Sequence, residues 1–156
     1  MDHYEAAMAV MTELFGKDCF FSLATVHENK PAVRVVDTYY EDGAFYIVTY
    51  GSSAKVKELQ ANDNVALCSQ LVRFEGVACN IGHPLAPENS GIREKLIQVF
   101  APWYFKHNDE KDPAMCYVKI ELRNGFFYKD GTGYKVDFLN RTAETFPFVF
   151  DVVAPD

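Results

Sequence analysis

Residues 32–50 read AVRVVDTYYEDGAFYIVTY, and the alternation in this stretch decides the fold. Ala32 to Tyr40 is a β-branched and aromatic run, Glu41-Asp42-Gly43 interrupts it, and Ala44 to Tyr50 returns in the same style. Asp-Gly between two such runs signals a hairpin, because a tight two-residue turn needs φ > 0 at both central positions. Upstream, Phe20-Phe21-Ser22-Leu23-Ala24-Thr25-Val26 ends in the polar turn His27-Glu28-Asn29-Lys30. Three antiparallel strands in a meander are therefore expected.

The flanks fit a β-rich chain with helices at its edges. Tyr4, Met8, Met11 and Phe15 recur at helical spacing, so residues 3–16 are expected as an amphipathic helix closed by Gly16. After Gly51 the period changes again: a serine N-cap, then Val56 and Leu59 three apart, predicts a short helix over 52–59. Val65 to Cys68 and Arg73 to Ile81 read as a fourth and fifth strand, with Gly76 as a bulge or close-approach site. Pro87 to Phe100 is helical, carrying Ile92, Leu96, Val99 and Phe100 on one face. Met115 to Leu122 and Phe126 to Lys129 form a second expected hairpin around Asn124-Gly125, and Tyr134 to Leu139 a last strand. The fold class is mainly β with peripheral helices, six or more antiparallel strands closing a barrel rather than an open sheet. At 156 residues the whole chain, 1–156, is one domain, with an N-terminal helix in 1–17 and a tail over 140–156.

Composition excludes several function classes. The net charge of −7, with no basic cluster, argues against nucleic acid and anionic membrane as partners. No stretch approaches the roughly 20 apolar residues of a membrane span, and the first residues lack a basic segment followed by an apolar run. A soluble, cytoplasmic protein is expected. Cys19, Cys68, Cys79 and Cys116 are widely spaced in apolar stretches, without Cys-x-x-Cys or nearby histidines, so they are read as reduced and buried, and no metal is expected. His27, His83 and His107 are not placed to act together, and no Gly-x-Ser-x-Gly, Gly-x-Gly-x-x-Gly or Walker-type loop occurs.

Two elements carry chemistry. Arg34 interrupts an apolar strand, sharing one face with Val36 and Thr38 while Val33, Val35 and Asp37 share the other. Its guanidinium must reach solvent, a carboxylate such as Asp37 or Glu75, or a bound anion. In Thr49-Tyr50-Gly51-Ser52-Ser53-Ala54-Lys55 a strand end feeds a helix start, where free backbone N–H groups, two hydroxyls and an ammonium suit a phosphate. The hairpin can bring Arg34 to that helix start. Equally, Ser53 can merely cap its helix and Lys55 can be solvated.

Residues from about Phe20 to Phe138 resemble the pyridoxamine 5′-phosphate oxidase-like family of FMN-binding split barrels. The signatures are Phe21-Ser22-Leu23-Ala24-Thr25; Pro31-x-x-Arg34-x-Val36; Phe45-Tyr46-Ile47-Val48-Thr49 running on to Ser53-x-Lys55-x-x-x-Leu59; and Asn62-Asp63-Asn64-Val65-Ala66. The resemblance implies a six-stranded antiparallel split barrel, working as a homodimer with FMN near the interface. It places the FMN phosphate at Arg34, Ser53 and Lys55, and lays Arg34-Val35-Val36 and Thr49-Tyr50 along the ring and ribityl chain. It implies two-electron oxidation or reduction of a small-molecule substrate, with NAD(P)H or another two-electron donor; the flavin supplies the chemistry and the protein supplies position. A non-catalytic flavin-binding module, or a split barrel for haem or a deazaflavin, is the alternative.

The chain also departs from the oxidases proper. Tyr39 stands where they carry a lysine, Ala54 where their phosphate turn carries an arginine, and their C-terminal Arg-x-His is absent. Vitamin B6 oxidation is not expected. Trp103-Tyr104-Phe105 is either an aromatic wall near the flavin or packing beneath its loop. The apolar run Phe146 to Val153 is expected to pack on the barrel or across a two-fold interface.

Overall fold

The computed structural model describes residues 1–149. Helix α1 (His3–Phe15) opens with a reciprocal capping box between Asp2 and Glu5 and buries Tyr4, Ala7, Met11 and Phe15. The meander follows as β1 (Cys19–His27), β2 (Lys30–Glu41) and β3 (Ala44–Tyr50). Both turns are built on paired positive φ: +50° and +62° at Glu28-Asn29, and +47° and +83° at Asp42-Gly43. Then come α2 (Ala54–Ala61), β4 (Asn64–Ser69), β5 (Val72–Gly82), a 3-10 turn (Pro87–Asn89), α3 (Ser90–Val99), α4 (Tyr104–His107), β6 (Met115–Lys129), β7 (Thr132–Asp137) and β8 (Thr142–Pro147).

The sheet runs β3-β2-β1-β4-β5-β6-β7-β8, and β3 also pairs with β6. That extra pairing closes six antiparallel strands into the expected barrel, and leaves β7 and β8 as a flap on the far end of β6. Gly76 is the bulge and the close approach that its sequence implied. The β5–β6 register shifts there, and a β-carbon at 76 would lie 2.6 Å from the Glu121 carbonyl oxygen.

The β2–β3 hairpin is paired for only three positions, Tyr39↔Tyr46, Tyr40↔Phe45 and Glu41↔Ala44. Beyond them the strands part. Lys30 to Thr38 pair with β1 alone, and Ile47 to Tyr50 with β6 alone, so a cleft opens between the two diverging edges.

Asn124-Gly125 makes no turn: β6 runs straight through it. Gly125 lies opposite Phe74, where a β-carbon would overlap the phenylalanine ring. The glycine provides room for a ring rather than a positive φ. The turn comes six residues later, at Asp130-Gly131 with φ of +49° and +79°. The expected strand 134–139 starts two residues earlier, and β8 occupies the first part of the region read as a tail. Within it Phe146 stacks on Phe126 with ring centroids 5.9 Å apart. The expectation for residues 150–153 lies outside the described residues.

The barrel interior is aromatic. Phe15 from α1 meets Phe21, Phe45, Phe74 and Phe127 at centroid separations of 5.6, 5.9, 5.6 and 6.2 Å. A second cluster, Leu96, Phe100, Tyr104, Met115 and Tyr117, packs α3 and α4 near Tyr46, Val48 and Tyr50 of β3. All four cysteines are free, but only Cys116 is buried; Cys19 is intermediate, and Cys68 and Cys79 are exposed. Among the described residues, no helix is long and apolar enough to cross a membrane, and no group of three or more metal-ligating side chains is placed to hold a metal.

Candidate functional site at the split hairpin

Period-2 alternation turns Arg34 toward α2, which lies beside β1. Its Nη1 donates to the Leu23 carbonyl at 3.1 Å and to Thr25 Oγ1 at 2.9 Å, and its Nη2 to Glu58 Oε2 at 2.6 Å. Thr25 donates its own hydroxyl hydrogen to the same carboxylate oxygen. That hydroxyl, together with the guanidinium, holds the Glu58 carboxyl below the usual carboxylate range. The acid that answers Arg34 is therefore Glu58, not Asp37 or Glu75. Glu58 sits three residues after Lys55 on α2, and the reading of 52–59 as a short helix carried no signal for it.

The strand-to-helix turn assembles as its residue types implied. Ser53 is the N-cap of α2 and accepts from the Val56 amide at 3.4 Å. Its Oγ lies 3.5 Å from Thr49 Oγ1, and Lys55 Nζ donates to Thr49 Oγ1 at 3.0 Å. Among the described residues, no carboxylate lies within ion-pair reach of Lys55. Burial, and then the neighbouring Arg34 charge, hold its ammonium below the usual lysine range. Thr49, Ser53 and Lys55 thus meet, with Arg34 close behind but committed to Glu58. Tyr50 does not join them. It takes the opposite face of β3, and its hydroxyl accepts from the Asp109 amide at 3.0 Å.

The cleft between the parted strands is a groove of about 490 Å³. Phe20, Val35, Val36, Ile47 and Val48 line it, and Lys55 projects into it. Phe20 and Val35 are 67% and 65% exposed, an unusual degree for such side chains on adjacent strands. Trp103 and His107 also border the groove. Trp103 stacks on Phe100 at 4.5 Å and donates its indole N–H to Asp18 at 3.0 Å. Tyr104 is buried beneath, bonded to the Tyr117 and Glu110 side chains. The aromatic triplet therefore divides between wall and packing, and His107, which its charged loop gave no reason to choose, stands at the groove.

Asp37 and Asp18 share the groove and a hydrogen bond between their side chains. Burial, then that bond and the Asp18 charge, push the Asp37 carboxyl up to about 7, from 3.8 in the unfolded chain. Folding thus favours the protonated form. This contribution to stability is complete below pH 3.8 and is lost as pH rises through about 7. Solvent screening at this partly exposed site leaves about 1 kcal/mol, so Tm is expected to fall by roughly 2–4 °C in all as pH rises from about 4 to about 8. Asp37→Asn should flatten that slope in thermal melts across the range.

The sequence profile of the pyridoxamine 5′-phosphate oxidase family matches residues 8–128. Comparison with curated protein sequences gave no match. Among solved structures, the chain is similar to a NimC/NimA-family protein of Clostridium acetobutylicum, at 19% identity and a TM-score of 0.60, over 94% of this chain and 96% of that one. It is also similar to a pyridoxamine 5′-phosphate oxidase-related, FMN-binding protein of Nostoc punctiforme, at 14% identity and 0.57, over 96% and 98%. Campylobacter jejuni ChuZ aligns at 16% identity and 0.65, over 87% of this chain and 60% of its own.

Proposed function

The chain belongs to the pyridoxamine 5′-phosphate oxidase family, and from that premise we propose that it is an FMN-binding flavoprotein acting in two-electron oxidation or reduction of a small molecule. The observation that carries this reading is Lys55. A half-buried ammonium without a carboxylate partner among the described residues is costly unless an anion completes it. Thr49 and Ser53 stand beside it at the N-terminus of α2, whose free amides add to the attraction for a phosphate. Arg34 contributes positive charge from behind while Glu58 fixes its position. The groove continues from this point along apolar side chains of β2 and β3, a surface suited to a flat ring system.

FMN, when bound, supplies the electron chemistry. The chain's residues hold it: Lys55, Ser53 and Thr49 at the phosphate, with Val35 and Val36 against the remainder. Tyr39, Ala54 and the missing Arg-x-His keep vitamin B6 phosphates outside the proposal. Phe20, Val33 and Val35, each about two-thirds exposed on the outer face of β1 and β2, are the surface that a second copy would cover, giving a homodimer with the groove at its edge. NAD(P)H or another two-electron donor serves the flavin, and the protein works in the cytoplasm.

Titrating the purified protein with FMN, FAD and haemin tests the reading. FMN is expected to bind at one per chain with loss of its fluorescence, and more tightly than the other two. Saturable haemin binding without FMN binding would overturn it.

A further inference from the structure

Beside the groove, sharing His107 and Asn108 with it, lies a second and larger pocket of about 820 Å³. We propose that it binds a flat, apolar molecule carrying one anionic group, and, resting on the flavin reading, that this is the class of substrate presented beside the flavin.

The walls specify that class. Leu85 and Phe105, 59% and 60% exposed, face into the pocket, and Tyr50 adds a third apolar surface. Isolated exposed hydrophobics are ordinary, but three converging on one concavity offer a face for a planar ligand. Lys106 and Lys111 line the same space, and among the described residues neither is in an ion pair. Two acids are also present. The Glu110 charge is taken by Arg93, whose Nε and Nη2 grip it at 2.7 and 2.6 Å. Asp109 remains, accepting from the Lys111 amide at 2.9 Å. Two lysines against one unpaired carboxylate leave one positive charge, before any on His107, within a chain of net charge −7. A monoanion balances it.

The pocket is held in shape. Asn108 Nδ2 donates to the Tyr104 carbonyl at 2.9 Å, the Asp109 amide to Tyr50 at 3.0 Å, and Tyr104 joins Glu110 to the buried Tyr117. Tyr50 thus serves this pocket, while Thr49, one residue earlier and on the other face of β3, serves the anion turn.

A charged and neutral pair of equal shape provides the test: 2-naphthoate and 2-naphthamide, titrated by calorimetry into the full chain with and without FMN. The wild type is expected to bind the carboxylate at least about tenfold more tightly, the worth of one charge-assisted contact. Lys106→Gln combined with Lys111→Gln should erase that preference, and Phe105→Ala should weaken both ligands. FMN affinity should be unchanged in these variants, since none of the three residues lines the groove. Equal binding of both ligands by the wild type, or a preference that survives the double lysine change, would overturn the inference. FMN affinity is read separately, so naphthoate binding by a chain that rejects FMN would keep the pocket and remove only its link to a flavin.

Discussion

Replacing Lys55 by alanine is expected to weaken FMN binding roughly ten- to a hundredfold and to leave riboflavin almost untouched. A charge-assisted hydrogen bond contributes about 1.5–3 kcal/mol, which is that range of affinity. The variant should fold at least as well as the wild type, because the ammonium is half-buried without a counter-charge among the described residues. Arg34→Ala behaves differently. It leaves the Glu58 carboxylate and the Leu23 carbonyl without their guanidinium, so its larger effect is on stability. A pH series gives a second signature. The Lys55 ammonium sits below the ordinary value of 10.5, so its proton is lost earlier as pH rises. FMN affinity should then decline on the alkaline side before an ordinary lysine would deprotonate, while riboflavin, with the same ring and no phosphate, shows no such decline. Equal losses for both flavins on Lys55→Ala, or none for either, would remove the phosphate from this turn.

What was legible in the sequence was local. The Asp42-Gly43 turn and the runs on either side of it fix the hairpin, and Ser53 and Lys55 announce a helix start suited to an anion. Period-2 alternation also separates Thr49 from Tyr50, as it separates Arg34 from Val35, so the two side chains leave β3 on opposite faces. What was not legible depended on partners far along the chain. Beyond Tyr39↔Tyr46, β2 stays with β1 while β3 stays paired with β6 along its whole length, and neither partnership is written in the hairpin itself. Arg34 finds Glu58 only because α2 lies beside β1. Strand β8 shows little burial and so has no alternating signature; its pairing with β7 alone makes it a strand. Asn124-Gly125 has the chemistry of a turn and the place of a strand, and a ring 51 residues earlier in the chain decides between them.

That ring is the subject of the largest expected change in stability. Phe74 is 1% exposed, with Phe45, Phe15, Phe21, Phe127 and Phe138 around it at centroid separations of 5.3, 5.6, 6.0, 6.1 and 6.4 Å. Phe74→Ala should cost about 3–5 kcal/mol, or roughly 6–20 °C in Tm for a domain of this size. Gly125→Ala should cost about 1–3 kcal/mol by overpacking, since its new methyl meets a ring that the neighbouring phenylalanines hold in place. In the Phe74→Ala background the ring is gone, the same methyl enters the space it has left, and only the Arg73 carbonyl oxygen, 3.2 Å from the new carbon, still crowds it. The two changes should therefore fail to add, by more than about 1 kcal/mol, the coupling expected of residues in direct contact. Urea unfolding of the four proteins gives the cycle. A Gly125→Ala cost that is the same with and without the ring would show that the glycine answers to the backbone and not to Phe74.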